Sequence, residues 1–546
     1  ALMLPERCAG VVIQGVRLAG LLCPVGVGSA RAETTLFENL GTLHHAMTTT
    51  SSRAQQYFDQ GLRLVYAFNH EEALASFAEA SRLDPDAPMP YWGLALSLGP
   101  NINAAMDSKA ESRAVEAVQK ATARLAHAAP GERAYVEALA ARYSVKKSAT
   151  RKSKDEAYAK AMRRLAHDYP DDTDAAVLFA EALMVLRPWD YWRSDGRPQP
   201  GTEEIVSTLE AALQHHPDHP GACHYYIHAV EASPEPQRGL PCATRLPSLM
   251  PGAGHLVHMP AHIYMRVGRY RDASERNASA ATIDHEYLLR HPLEGNYASG
   301  YYAHNLHFLN ASLVMEGRSA EAMQAARDLL GKISVDEIVK EPSLEWYAPT
   351  VLFTMARFGQ WGELIRQPPP PKELRYTTAV WHYARGLAFA ATTRFGSAEG
   401  ELSNLRRSLK GLARAKTAEA KISRTLLKIA ERVLAGEIAA RKGEFDAGIQ
   451  ALREALQLEA TVPYSEPPFW FQPVRHNLGA VLLLAGRAGE AESVYREDLR
   501  LNPENGWALH GLVHSLQAQR KDAAQETARL HTAWAQADVT LTGSRF

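Results

Sequence analysis

The stretch Tyr57–Pro85, YFDQGLRLVYAFNHEEALASFAEASRLDP, decides the fold of this chain. Gly61 is followed twelve residues later by Ala73, then by Phe77, Ala80 and Pro85. Small residues at such intervals let one helix lie close against the next, and the proline ends the second helix. The same pattern returns near the C-terminus as Gly479, Ala491, Tyr495 and Pro503. Fainter copies hold Gly386 with Ala398, and Gly268-Arg269-Tyr270 with Ala273 and Ala280. Long alternating Val/Ile-rich runs, the signature of strands, are missing. Asp84-Pro85-Asp86 and Pro503-Glu504-Asn505 punctuate helices instead. The expected class is all-α.

The pattern resembles the tetratricopeptide repeat, which places small residues at positions 8, 20 and 27, an aromatic at 24 and proline at 32; counting from Ala54, all five match. The resemblance covers most of residues 54–530 and implies a right-handed α-solenoid of helix-turn-helix repeats, a fold most often used as a protein-binding scaffold. Repeats are expected to start near Ala54, Pro88, Arg133, Thr173, Pro220, Gly254, Ala303, Ala379, Ile429, Gln472 and Gly506, with another hidden around Leu344–Tyr347. Trp507 sits off consensus, which leaves the last register open. The segment Arg187–Pro200 separates the two helices of one repeat, and His285–Tyr302 lengthens another. Pro368–Pro371 reads as a stiff connector, so the expected organisation is a leader at 33–53, an array at 54–366, a connector at 367–372 and a second array at 373–546.

Nine histidines fall within the eighty-four residues from His224 to His307, and seven are spaced by three or four: His224 and His228, then His255, His258 and His262, then His304 and His307. Such spacing puts side chains on one helix face. Pro217 and Pro251, at position 32 of successive repeats, fix the frame independently. His224 and His228 then take positions 5 and 9, His255, His258 and His262 positions 2, 5 and 9, and His304 and His307 positions 2 and 5. The resemblance implies that these positions line the concave groove. Imidazole is the commonest protein metal ligand, and seven imidazoles on three consecutive repeats point to a transition-metal centre. Glu181 and Glu231 also map to the groove, as ligands, as a catalytic base, or as ordinary ion-pair partners. Nitrogen-rich donors favour copper or zinc over magnesium or calcium; copper, one ion or two, is the first expectation, with zinc or iron as alternatives.

Other groups border this set. His44 and His45 precede the first repeat and read as extra ligands or an exposed leader. Asn69-His70 and Gly99–Asn103 are candidates for a substrate rim, or simply turns and caps. Trp189, Asp190, Tyr191 and Trp192 read as an aromatic lid or as packing, and Tyr297, Tyr301 and Tyr302 as supports for the centre or as packing. His476, His510 and His514 form a thinner group. Gly-rich phosphate loops, HExxH, CxxC and GxSxG are absent from the sequence.

The 546 residues carry a net charge of −1, with 46% hydrophobic and 22% charged residues. That balance describes a folded protein and favours neither nucleic acid nor an anionic membrane as partner. Arg7 and Arg17, the run LAGLLCPVGVG and Ser29-Ala30-Arg31-Ala32 read as a secretory signal at 1–32 cleaved after Ala32, which implies a periplasmic or secreted protein. Gly20-Leu21-Leu22-Cys23 is a poor lipoprotein box, and no later run is long and apolar enough to span a membrane. Beyond the signal remain Cys223 and Cys242, either a disulfide or two buried thiols. The leading functional expectation is an exported metalloenzyme, a copper-dependent oxidase or oxygenase before a zinc hydrolase, with a small-molecule or peptide substrate in the groove. The rivals are a scaffold binding a peptide or protein partner and a non-catalytic metal-binding protein.

Overall fold

The computed structural model describes residues 35–143, 149–291, 297–412 and 417–546; the expected signal lies outside them. The chain folds as two compact units, one comprising residues up to Ile263 together with Ser279–Tyr302, the other Tyr264–Ala278 together with Ala303–Phe546. The described residues contain no strand, only a single bridge between Trp192 and Pro198.

Helical hairpins build both units. The first begins with Ser52–Tyr66 against His70–Leu83 and continues through Thr173–Val185 with Thr202–His215 to Pro220–Val230 with Leu240–Leu249. The second runs from Ala303–Met315 with Ser319–Leu330 to Gly506–Ala518 with Ala524–Ala533. The repeat hidden near Leu344–Tyr347 is present as the short hairpin Thr350–Arg357 and Trp361–Arg366. Caps define helix starts: Ser51 accepts the Ala54 N–H and Asn69 that of Glu72, each supplying an acceptor for an otherwise orphan donor.

The repeat pattern is a packing code. A Cβ on Gly61 would lie 2.7 Å from the Phe77 ring, and one on Gly93 of the next repeat 2.4 Å from it. Gly479 and Gly511 stand in the same relation to Tyr495, at 2.4 and 2.1 Å. The position-24 aromatic is thus wedged between glycines of its own and the following repeat. The turn between paired helices repeats as well. Its residue at position 15 is left-handed in Phe68, Gly268, Gly317, Thr393, Gly443, Gly486 and Arg520, which match the starts read from sequence, and Gly359 marks the hidden repeat. Arg520 in this series also settles the register of the last repeat around Trp507.

Pro368–Pro371 lies within the second unit, between Trp361–Arg366 and Arg375–Ala391, two helices that pack together. Cys223 and Cys242 are free thiols, both buried. No described helix is long and apolar enough to cross a membrane.

Candidate metal centre

Five of the seven histidines meet in the first unit. Helix Pro220–Val230 starts with proline, and the side chain of His219 caps it by accepting the Ala222 N–H. His224 and His228, one turn apart, bring their Nε2 atoms to 3.1 Å. The next repeat opens with Gly254–His258, interrupted before Pro260–Arg266. Gly254 is required there, because a Cβ would sit 1.9 Å from the Asp284 carboxylate. This helix places His255 Nε2 3.1 Å from His224 Nε2, while His258 and His262 bring their own Nε2 atoms to 2.8 Å. All five rings are buried.

The opposite edges of three rings are fixed by acceptors. His224 Nδ1 donates to the Tyr66 carbonyl at 2.6 Å. Glu231, the C-cap of its helix and fully buried, accepts from His228 Nδ1 at 3.1 Å through one oxygen and from His262 Nδ1 through the other. An Nδ1–H tied in this way turns the Nε2 lone pair inward, the arrangement that orients metal-binding histidines. Burial lowers His224 and His262 to about 3, so both are neutral near pH 7; the Tyr66 carbonyl opposes this at His224, and nearby imidazoles add to it.

Aromatic rings close the set. Phe68 lies 4.5 Å from His224, 5.6 Å from His255 and 6.1 Å from His228, centroid to centroid. Trp189 stands edge-on to His228 at 4.8 Å and donates its indole N–H to the Ile102 carbonyl; Tyr301 stands edge-on to His255 at 4.9 Å. Phe68 and Trp189 both have positive φ, 58° and 63°. A bulky side chain pays about 1–2 kcal/mol for that conformation, and here both such aromatics touch the histidines. The insertion Arg187–Pro200 is the source of Trp189, and its Trp192 donates to the Ala229 carbonyl on the histidine-bearing helix.

The remaining expected residues are placed as follows. His304 and His307 belong to the second unit; His307 is edge-on to Tyr347 at 5.2 Å, and burial lowers it to about 4. Glu181 is buried in the first unit, where burial pushes it up to about 7 against the charge of Arg142, with Asp155 adding to the rise. His44 donates to Asp59 and His45 to Asp174, each at 2.8 Å, so both leader histidines have carboxylate partners. Asp174 also accepts from His219 and from the Tyr66 hydroxyl, which links this network to the residue whose carbonyl holds His224. In the second unit His476 is bonded at both nitrogens, to Arg357 and Asp498, and the His510 and His514 rings lie 4.4 Å apart.

Within the first unit, His224, His228 and His255 form a group able to hold a metal ion, as do His228, Glu231 and His262, and as do His45, Asp172 and Asp174; in each, one donor atom per residue lies within 4.8 Å of the others. Sequence reasoning missed Phe68. Its signal was a phenylalanine at the turn position that Gly268, Gly317, Gly443 and Gly486 occupy elsewhere.

No protein-family model matches the chain, and comparison with curated proteins returns no match. Among solved structures it is similar to the human IFIT1 dimer with m7Gppp-AAAA, at 12% identity over 90% of this chain and 92% of that one, TM-score 0.32. Yeast Tom70 gives 13% identity over 89% and 92%, TM-score 0.29, and the P58(IPK) TPR domain 12% over 86% and 98%, TM-score 0.20. The wedged aromatics and left-handed turns carry the assignment, independently of these distant likenesses. The chain is built of tetratricopeptide repeats.

Proposed function

We propose that the first unit holds a histidine-coordinated transition-metal centre, with His224, His228 and His255 taking one ion and His258 with His262 contributing nitrogens to a second. The observation that carries this is the facing of Nε2 atoms at 3.1, 3.1 and 2.8 Å. Between His224 and His228, both tied through Nδ1–H, two inward lone pairs at 3.1 Å repel unless a cation lies between them, whereas the other two contacts fit a shared metal or an N–H···N hydrogen bond equally well. Two nitrogens each about 2.0–2.1 Å from one metal, at tetrahedral to right angles, stand about 2.8–3.4 Å apart.

The donor set favours copper. It is all imidazole, and the nearby carboxylate Glu231 is committed at both oxygens to imidazole N–H groups. That leaves it neither as the third ligand of an iron site nor as the free base that zinc-dependent hydrolysis would use. The reading is therefore a copper-dependent oxidoreductase using dioxygen, in an exported protein. Elemental analysis of protein purified without added metal tests it, together with Cu(II) titration of the wild type and of His224→Ala. Stoichiometric copper that falls in the variant is the expected result. Absence of bound transition metal, with an absorption spectrum unchanged by Cu(II), would overturn the reading; zinc in the same place would reassign the chemistry.

A further inference from the structure

Residues 538–546 follow the last helix of the second unit, Ala524–Ala533, and form neither helix nor strand. The segment folds back onto its own unit. Asp538 accepts the Ser319 and Ala320 N–H groups at 2.7 and 2.9 Å, the first donors of helix Ser319–Leu330. Beyond it the side chains alternate: Thr540 and Thr542 are exposed, while Val539 and Leu541 pack on the apolar cluster that contains Leu313, Val314, Phe358 and Trp507. Phe546 packs on the same cluster, edge-on to Trp507 at 5.9 Å. It also lies against Gly359, where a Cβ would come within 2.8 Å of the Phe546 Cβ.

Polar groups hold the last three residues one by one. Arg357, itself buried, donates to the Ser544 carbonyl at 3.3 Å, and Arg441 donates to the Phe546 carbonyl at 2.8 Å. The buried Ser544 hydroxyl donates to the His476 carbonyl at 2.6 Å and meets the Tyr495 hydroxyl at 2.7 Å. Arg545 Nε donates at 2.9 Å to Glu437, a carboxylate only 1% exposed. Arg357, Glu437, Arg441, His476 and Trp507 stand on the first helices of four separate hairpins, so the seat exists only in the folded unit. Main-chain bonds supply affinity in peptide recognition, and side-chain pockets supply specificity; both are present here. Buried ions are costly, and an apolar plug would stabilise the unit as well or better. The buried Arg357 and Glu437 therefore argue for a seat that reads sequence.

We propose that the second unit carries a binding site for a peptide segment of the pattern hydroxyl–arginine–aromatic, with residues 538–546 as its resident ligand. A partner chain presenting the same chemistry displaces them. The test uses the full chain with a specific protease site inserted between the exposed Ala535 and Gln536 and cut after folding. A synthetic peptide of residues 536–546 is added in excess, and the fragment left on the protein is identified by mass spectrometry after gel filtration. The peptide should replace the cut fragment. The same peptide carrying Arg545→Ala should do so less effectively by about tenfold or more, because Glu437 loses its partner. In the cut protein Glu437→Gln should weaken the unaltered peptide and leave the alanine peptide little changed, since the two substitutions remove one interaction. In the uncut chain, Arg545→Ala should admit a labelled peptide that the wild type excludes, because a tethered segment competes at millimolar effective concentration. Retention of the fragment against excess peptide overturns the site, as does exchange indifferent to Arg545→Ala. Unfolding of the protein once the fragment leaves overturns it too, and makes the segment a structural plug.

Discussion

Replacing Glu231 by glutamine changes one atom in the supports of the centre and tests its architecture. The carboxylate accepts two imidazole N–H groups, from His228 and His262. A glutamine carbonyl can accept only one, and its NH2 then faces the other Nδ1–H as donor against donor. That ring escapes by moving its proton to Nε2, which removes the lone pair it needs as a ligand. Loss of such an outer support typically weakens metal binding by 10–100-fold, about 1.4–2.7 kcal/mol. If the ring keeps its tautomer, a buried donor is left unpaired at a cost of about 1–3 kcal/mol. Competition titration of Cu(II) against a chromophoric chelator measures the first outcome, and thermal unfolding of the metal-free protein the second. His228 serves the group of three and His262 the pair, so one of the two sites should weaken far more than the other. Glu231→Gln with unaltered affinity, stoichiometry and melting temperature would refute the view that Glu231 holds these rings for a metal.

Three further outcomes follow from the structure. Phe68→Gly should be the more stable of the pair Phe68→Gly and Phe68→Ala, because glycine releases about 1–2 kcal/mol of left-handed strain while both lose the same buried ring; chemical denaturation compares them, and a more stable alanine variant would show no strain at this turn. Gly93→Ala puts a methyl 2.4 Å from Phe77 and should cost about 1–3 kcal/mol by overpacking, seen as a lower denaturant midpoint at unchanged slope. Burial raises Glu181 from 4.5 to about 7, so its contribution favours the folded state below pH 4.5 and is lost as pH rises to 7. Glu181→Gln should therefore gain on the wild type across that window by on the order of 3 kcal/mol, and parallel stability–pH curves would show that the carboxyl is not perturbed.

Much of this protein was legible without coordinates because the repeat is a local code. Small residues and an aromatic at fixed intervals specify which helix faces can touch, and left-handed turns fall where the frames of Ala54, Ala303 and Gln472 require them. The helical spacing of His224 with His228, and of His255 with His258 and His262, likewise follows from the period of the helix. What the sequence left undecided were the contacts between residues far apart along the chain. Whether Glu231 faced a metal or an imidazole depended on His262 lying across from it, and the tautomer of His224 depended on the carbonyl of Tyr66, 158 residues away. Phe68 could be read only as an odd residue in a turn until the fold laid its ring on three histidines. Periodicity fixes the face on which a side chain stands; the atom it meets there depends on how the repeats stack, and that is a property of the tertiary structure.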